Sequence, residues 1–121
     1  MKIALVDDDT QARSMLARAV RNAGYQISLE AGDGHEALNS LPRCDADLII
    51  TDCQMPRMDG ISLVRNLRQR GDQRPILMLS GQSDPLVVKL ALSAGVTRYL
   101  TKPLNPKELL NAIHPYVPAA A

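Results

Sequence analysis

The chain alternates short apolar runs with longer segments of helical period, and it does so five times. The apolar runs lie at 3–6, 27–29, 48–51, 76–79 and 99–101, and helices are predicted near 10–23, 33–41, 61–70, 84–94 and 106–114. Runs such as LII and ILML are apolar at successive positions, as expected of strands covered on both faces. Strand–helix repeats with short connections predict a parallel sheet with helices on both sides.

The composition favours a single domain with an aliphatic core. The 121 residues match the common size of one domain, and 45% are hydrophobic although Phe and Trp are absent. A net charge of +1 gives no global attraction to nucleic acid or to anionic membranes. No apolar run approaches the roughly 18–20 residues of a membrane span, and Asp7, Asp8 and Asp9 interrupt any signal peptide. We therefore expect a cytoplasmic protein that contacts neither nucleic acid nor membrane directly.

Capping residues mark the ends of several predicted helices. Asp33 with Glu36 three residues later predicts a capping box at the second helix. Asp84 before Pro85 predicts an N-cap and first-turn pair at the fourth helix. Gly24 is the predicted stop of the first helix.

The cysteines and histidines suggest no metal site of their own. Cys44 and Cys53 show neither zinc-site spacing nor a redox motif, so we expect small buried thiols, with a Cys44–Cys53 disulfide as the alternative. His35 and His114 have no ligand-type neighbours, and we expect both at the surface.

Polar residues follow the predicted strands at the edge where ligands bind in open α/β sheets. Asp52 ends the third strand, Asp7 and Asp8 follow the first, and Ser80 and Lys102 follow the fourth and fifth. Clustered carboxylates repel unless a cation lies between them, and oxygen ligands suit Mg²⁺. Taken singly, these residues have ordinary explanations as helix-start acids, turn formers or a surface lysine. Their coincidence on one edge favours a cation-filled pocket with a nucleophilic carboxylate.

The sequence resembles a response-regulator receiver domain over essentially its whole length. The segments VDDD, TDCQMPRMDG, LSG and YLTKP stand in order and at family-like spacing. The resemblance implies a flavodoxin-like, doubly wound α/β fold, with five parallel strands in the order 2-1-3-4-5 and five flanking helices. It also implies a receiver domain over 1–117, with 118–121 a disordered tail or the start of a linker.

The resemblance assigns the acidic residues to phosphoryl transfer. Asp52 would accept a phosphoryl group from the phosphohistidine of a histidine kinase or a phosphotransfer protein. Asp8 would bind Mg²⁺ (or Mn²⁺) together with the Asp52 carboxylate and the Gln54 backbone carbonyl. Asp7 would act mainly through a metal-bound water, and Asp9 would be a cap or an outer charge.

The resemblance also assigns a switch. Lys102 and Ser80 would each contact a phosphoryl oxygen, and the Lys102–Pro103 peptide bond would be cis. Movement of Ser80 toward the phosphoryl group would let Tyr99 rotate inward.

Residues around the acceptor are expected to control how long the phosphoryl group persists. In receivers the places of Gln54, Gln82 and Gly81 influence the approach of water, so all three are candidates for tuning the rate. Pro56 and Gly60 shape the acceptor loop, and Gly60 is expected to take a positive φ or to allow a close turn.

The fourth predicted helix is more apolar than a sheet-facing helix needs to be. Leu86, Val87, Val88, Leu90 and Leu92 cannot easily all face the sheet, which indicates a partner or dimer surface; the alternative is a more deeply buried helix. The predicted interface joins the fourth helix, fifth strand and fifth helix through Val88, Leu92, Tyr99, Lys107, Leu110 and His114. It would bind a downstream protein or an output domain, or form a phosphorylation-dependent homodimer.

The prediction is a phosphoacceptor switch of a two-component system that catalyses only its own phosphorylation and dephosphorylation. It would stand alone, precede an output domain, or come from a hybrid histidine kinase in a phosphorelay. Met1 directly before the first strand favours the first two, whereas DCQMP and KPL resemble hybrid-kinase receivers. An aspartyl-nucleophile phosphatase is disfavoured because its second acid would stand at Gln54. A flavin-binding carrier is disfavoured because this sequence lacks the phosphate loop and the aromatic residues that would stack on the flavin. A degenerate receiver is disfavoured because no active-site position is missing.

Overall fold

The computed structural model describes residues 1–118 as a parallel sheet between two layers of helices. The strands are β1 (Lys2–Val6), β2 (Gln26–Ala31), β3 (Leu48–Asp52), β4 (Ile76–Ser80) and β5 (Arg98–Thr101). The helices are α1 (Thr10–Asn22), α2 (Gly34–Ser40), α3 (Gly60–Gln69), α4 (Pro85–Ala94) and α5 (Pro106–Ile113). The strand order is β2-β1-β3-β4-β5, so the predicted doubly wound α/β fold is confirmed. From residue 119 onward, the predicted tail lies outside the described residues.

Two short 3₁₀ helices were not predicted, at Leu41–Arg43 and His114–Tyr116. Each has a proline at its first or second position, where a missing N–H costs no hydrogen bond. They extend α2 and α5 by a tighter turn.

The predicted caps form at α2 and α4. The Asp33 side chain accepts from the N–H of Glu36 at 2.8 Å, and the Asp84 side chain accepts from the N–H of Leu86 at 2.9 Å. The capping box differs in one partner: the Glu36 carboxylate accepts from the N–H of Gly32 at 3.0 Å rather than from that of Asp33. Because Asp33 is fully extended (φ −158°, ψ 169°), it is the Gly32 N–H that the Glu36 carboxylate reaches.

Each face of the sheet is buried under its own apolar cluster, which explains the unbroken apolar strands. Under α2, α3 and α4 lie Ala4, Val6, Ile49, Met78, Leu38, Leu63, Leu67 and Ala91. Under α1 and α5 lie Ile3, Leu5, Ile50, Leu77, Ala17, Val20, Leu109 and Ile113. Full burial of one such aliphatic side chain contributes roughly 1.5–3 kcal/mol, so these two layers hold the strand ends in place.

The turn after β3 brings α3 directly against the strand. A Cβ on Gly60 would lie 2.2 Å from the backbone oxygen of Asp52, so the predicted close turn is confirmed. The alternative, a positive φ at Gly60, is wrong, because the positive φ of this loop falls on Arg57 (φ 68°). The N–H of Met58 donates to the Pro56 carbonyl at 2.8 Å, which closes a three-residue turn around Arg57.

At the amino end of the sheet, two arginines join the helix–strand connections. The Arg74 guanidinium donates to three carbonyls and one carboxylate, those of Leu41, Cys44, Ala46 and Asp72, at 2.8, 3.0, 3.3 and 2.7 Å. Arg68 donates to the Gly95 carbonyl at 2.8 and 3.1 Å, joining the ends of α3 and α4. Burial alone would raise the pKa of Asp72, but its hydrogen bonds with Arg74 outweigh burial and hold the pKa below its ordinary value.

Both cysteines are free thiols, so the disulfide alternative is wrong. Cys53 is buried as expected, and burial raises its pKa. Cys44 is only half-buried and lies 3.2 Å from the Ser28 hydroxyl. His35 and His114 are exposed. Within residues 1–118, no helix has the length and apolar character needed to cross a membrane.

Candidate functional site

The carboxyl ends of β1, β3, β4 and β5 bring the predicted polar residues to one edge of the sheet. Asp7 and Asp8 directly follow β1, Asp52 ends β3, Ser80 ends β4, and Lys102 follows β5. One carboxylate oxygen each from Asp7, Asp8 and Asp52 lies within 4.8 Å of the others. This spacing comes from the parallel sheet, which aligns strand ends that are far apart in sequence.

One ammonium group faces this acidic cluster. The Lys102 Nζ lies 3.3 Å from Oδ1 of Asp52, and the Lys102 N–H donates to the Ser80 carbonyl at 2.7 Å. The Lys102–Pro103 peptide bond is cis. One ammonium against three carboxylates leaves a surplus of negative charge among these four side chains.

Asp7 is almost fully buried, and its side chain, N–H and carbonyl all form hydrogen bonds. Its side chain accepts from the N–H of Asp9 at 2.9 Å, and its own N–H donates to the Ala31 carbonyl at 3.0 Å. Its carbonyl accepts from Arg13 at 2.6 Å. Burial raises the pKa of Asp7, and the nearby Asp52 carboxylate raises it further. The hydrogen bond from the N–H of Asp9 and the charge of Lys102 lower the pKa, but they do not cancel this rise.

The donor set suits a hard divalent cation. Three carboxylates converge with oxygen atoms alone, which is the ligand type that Mg²⁺ and Mn²⁺ prefer. Asp8 is exposed and Asp7 is buried, so the cluster is reached from one side. Asp9, the third acid of the run, is not part of this carboxylate cluster. It caps α1, because its side chain accepts from the N–H groups of Gln11 and Ala12.

The backbone of Gln82 links the two predicted switch residues, Ser80 and Tyr99. Its N–H donates to the Ser80 hydroxyl at 3.0 Å, and its carbonyl accepts from the Tyr99 hydroxyl at 2.7 Å. Ser80 is fully buried, whereas Tyr99 is half-buried. A displacement of Ser80 would therefore reach Tyr99 through one residue.

The three residues expected to tune the rate follow the strand ends that carry Asp52 and Ser80. Gln54, Gln82 and Gly81 are all exposed. A Cβ added to Gly81 would meet nothing within 4 Å, so there is space for a side chain at this position.

Helix α4 exposes apolar side chains to solvent. Leu86, Leu90 and Leu92 are 62%, 46% and 50% exposed, so the alternative of a deeply buried helix is wrong. The predicted interface is mixed: Lys107 and His114 are exposed, whereas the half-buried residues of this set are Val88, Tyr99 and Leu110.

Sequence reasoning missed two residues that contact the acidic edge. Arg13 donates to the Asp7 carbonyl and also lies 3.5 Å from the Glu30 carboxylate. The Thr51 hydroxyl donates to the Asp52 carbonyl at 3.0 Å from a fully buried position. A hydroxyl inside an apolar strand was the signal available for Thr51; an arginine on a helix gave none.

Comparison with known proteins agrees with this geometry. The family model of the response regulator receiver domain matches residues 3–114. The response regulator MprA of Mycobacterium leprae (strain TN) is 41% identical over 113 residues, which cover 93% of this chain and 49% of the relative. The chain thus spans about half the length of the curated relatives it matches.

Solved structures of similar proteins share the fold. Chemotaxis protein CheY4 of Vibrio cholerae superposes with a TM-score of 0.87 at 34% identity, over 96% of this chain and 98% of that one. The signal receiver domain of the putative response regulator NarL from Mycobacterium tuberculosis gives a TM-score of 0.89 at 27% identity, over 94% and 93%. This chain therefore belongs to the response regulator receiver domain family of two-component signalling.

Proposed function

We propose that the chain is a phosphoacceptor switch in which Asp52 receives a phosphoryl group from the phosphohistidine of a histidine kinase or phosphotransfer protein. The observation that carries this proposal is the Lys102 ammonium 3.3 Å from Asp52 within a three-carboxylate cluster. The chain would be regulatory, and it would catalyse only its own phosphorylation and dephosphorylation.

In the reaction, a carboxylate oxygen of Asp52 attacks phosphorus as the phosphorus–nitrogen bond of phosphohistidine breaks. The leaving imidazole takes up a proton, and the product is an aspartyl phosphate. Phosphoryl transfer depends on alignment and on neutralising charge spread over the phosphoryl oxygens. Lys102 supplies one positive charge beside the acceptor. The Ser80 hydroxyl would donate to a second oxygen.

Mg²⁺ or Mn²⁺ would be held by Asp8, the Asp52 carboxylate and the Gln54 carbonyl, with Asp7 acting through a water. When bound, the cation supplies the charge neutralisation that one lysine leaves incomplete. Asp7 and Asp8 keep the binding oxygens converged beside the acceptor.

The switch would begin when Ser80 turns toward the phosphoryl group. Phosphorylation adds nearly two negative charges and strong acceptor oxygens at Asp52. The Ser80 hydroxyl would then lose its hydrogen bond from the N–H of Gln82. The hydrogen bond from the Tyr99 hydroxyl to the Gln82 carbonyl would rearrange in turn. Tyr99 would move inward and alter the face formed by α4, β5 and α5.

That face would bind a downstream protein, an output domain or a second copy of the chain. The exposed leucines of α4 support it, since apolar side chains in such a group mark interaction sites. A CheY of Borrelia burgdorferi, described in a CheX–CheY–BeF3–Mg complex, has a TM-score of 0.87 at 27% identity, over 98% of this chain and 90% of that one. A receiver from a hybrid kinase in a phosphorelay is the alternative placement.

The test of the acceptor is Asp52→Asn, with acetyl phosphate and Mg²⁺ present. We expect no acid-stable label on the variant, because an amide cannot form the acyl phosphate. The matched control is Asp59→Asn in the same loop, where Asn can still cap α3 by accepting from the N–H of Ser62. Full labelling of Asp52→Asn, measured by phosphate-affinity electrophoresis, would move the acceptor elsewhere.

The test of the output face is sedimentation velocity with Mg²⁺, with and without beryllofluoride. A shift from monomer to dimer supports a self-interface through this face. A monomer with bound beryllofluoride supports docking of a different protein instead.

A further inference from the structure

Among residues 1–118, the buried polar or charged side chains are those of Asp7, Thr51 and Ser80. All three lie at the carboxyl ends of neighbouring strands. Asp7 and Ser80 have places in the proposed reaction, whereas Thr51 has none. Its hydroxyl therefore needs a separate explanation.

The surroundings of Thr51 would suit valine better. Its register partners are Val6 in β1 and Met78 in β4, both apolar. Ile49 and Cys53, two residues away on either side, belong to the apolar cluster beneath α2, α3 and α4. Valine has nearly the same volume, and burying a hydroxyl costs free energy unless the hydroxyl finds a good partner.

The partner is the backbone of the proposed nucleophile. The Thr51 hydroxyl donates to the Asp52 carbonyl at 3.0 Å. Pairing with β1 ends at Val6 and Thr51, so β1 offers Asp52 no register partner, while β4 pairs it with Leu79. The Asp52 carbonyl thus lies at the end of β3, beyond the last residue pair that β3 forms with β1.

The same carbonyl is closely packed from the α3 side. A Cβ on Gly60 would lie 2.2 Å from it, so α3 begins in direct contact with this peptide group. The Thr51 hydroxyl and the Gly60 backbone approach together leave the Asp52–Cys53 peptide one orientation. That orientation sets the direction in which the chain leaves β3 toward Gln54.

We propose that Thr51 is a positioning residue for the acceptor. Its hydroxyl fixes the Asp52–Cys53 peptide, which keeps the Asp52 carboxylate aligned with Lys102. The inference rests on the proposed phosphoacceptor function and adds to it a residue that never touches the phosphoryl group.

The test compares three variants for the rate of labelling by acetyl phosphate with Mg²⁺. In Thr51→Val we expect the rate constant at saturating donor to fall about tenfold, because small misalignments of reacting groups cost that much or more. The donor concentration at half-saturation should stay unchanged. Thr51→Ser keeps the hydroxyl and should stay within about twofold of the wild type.

The matched control is Thr97→Val at the opposite end of the sheet. The Thr97 hydroxyl accepts from the N–H of Ile76 at 2.9 Å, so this change also removes one hydroxyl–backbone bond. We expect wild-type labelling from it. Should Thr51→Val not fold by circular dichroism, Thr51→Cys, with a similar volume and a weak donor, takes its place with the same expected slowing.

Two results would overturn the inference alone: a labelled wild type with equally fast Thr51→Val, or Thr51→Ser as slow as Thr51→Val. A wild type that takes no label at all would overturn the proposed function, and the role of Thr51 with it.

Discussion

The two ends of the sheet treat charge in opposite ways. At the amino end, the guanidinium groups of Arg74 and Arg68 donate hydrogen bonds to backbone carbonyls, and Arg74 also donates to the Asp72 carboxylate. At the carboxyl end, three carboxylates meet a single ammonium. Both groups of charges lie at ends of the same five strands, but the charges are paired at the amino end and unbalanced at the carboxyl end.

The difference separates a structural role from a functional one. The amino end gains stability from its charges because each has partners within the fold. The carboxyl end keeps like charges close together, which costs stability in the absence of a counterion. Incomplete neutralisation of this kind is typical of functional sites.

The largest expected effect is at the amino end. Arg74→Met removes the donor to three carbonyls and leaves the Asp72 carboxylate without its main partner. We expect a loss of about 2–4 kcal/mol in the free energy of unfolding, measured by urea titration. Labelling of Asp52 in the folded variant should remain near the wild-type rate, because the two ends do not share contacts.

The control for this substitution is Arg70→Met. Arg70 is exposed and makes one long hydrogen bond, 3.4 Å, to the Leu38 carbonyl. Its replacement should cost less than about 0.5 kcal/mol. Equal losses in the two variants would contradict the idea that the amino end is held by a saturated guanidinium.

An effect of opposite sign is expected at the carboxyl end. Asp7→Asn removes a buried charge but retains an oxygen that can accept from the N–H of Asp9. With divalent cations chelated at pH 7, we expect a gain of about 1 kcal/mol in unfolding free energy, a common size for single substitutions. Loss of stability would show that the cluster is already neutralised.

The pH dependence of this gain follows from the pKa of Asp7. Burial raises that pKa in the folded state, so the folded chain favours the protonated form. The wild type therefore loses stability as pH rises through the raised pKa, and it regains stability as pH falls toward the ordinary value of 3.8. The advantage of Asp7→Asn should shrink over the same fall in pH, as measured by urea titrations at several pH values.

The smallest effect is expected at Gly81, which directly follows β4. Gly81→Ala places a methyl group where nothing lies within 4 Å, so stability should change by less than about 0.5 kcal/mol. We expect the methyl to hinder the approach of water to Asp52, so the phosphoryl group should persist longer in a chase experiment. Gly60→Ala is the contrast, because its Cβ would collide with the Asp52 carbonyl and destabilise the fold. A destabilised Gly81→Ala would contradict the open space around this position.

Most of the fold and much of the site could be predicted from sequence because both depend on local patterns. Apolar runs and helical periods located the five strands and five helices, and parallel strands necessarily bring Asp7, Asp52 and Lys102 to one edge. Caps such as Asp84 were predicted because their partners lie two or three residues away.

The features that sequence reasoning missed depend on distant or hidden partners. Arg74 donates to carbonyls 28 to 33 residues away in the sequence. No local pattern distinguishes it from an ordinary surface arginine before a strand. Arg57 takes a positive φ that its side chain does not favour, so the prediction fell on Gly60 instead. The role of Thr51 requires knowing that β1 stops opposite it.

The acidic cluster also makes the melting temperature of this chain a gauge of occupancy. A cation that binds the folded cluster but not the unfolded chain adds RT ln(1 + [L]/Kd) to stability, which is about 2.7 kcal/mol at a hundredfold excess over Kd. For a domain of this size, that corresponds to a shift on the order of ten degrees. The sequence has no Trp to report binding by fluorescence, so a melting curve gives the direct, label-free titration of the site.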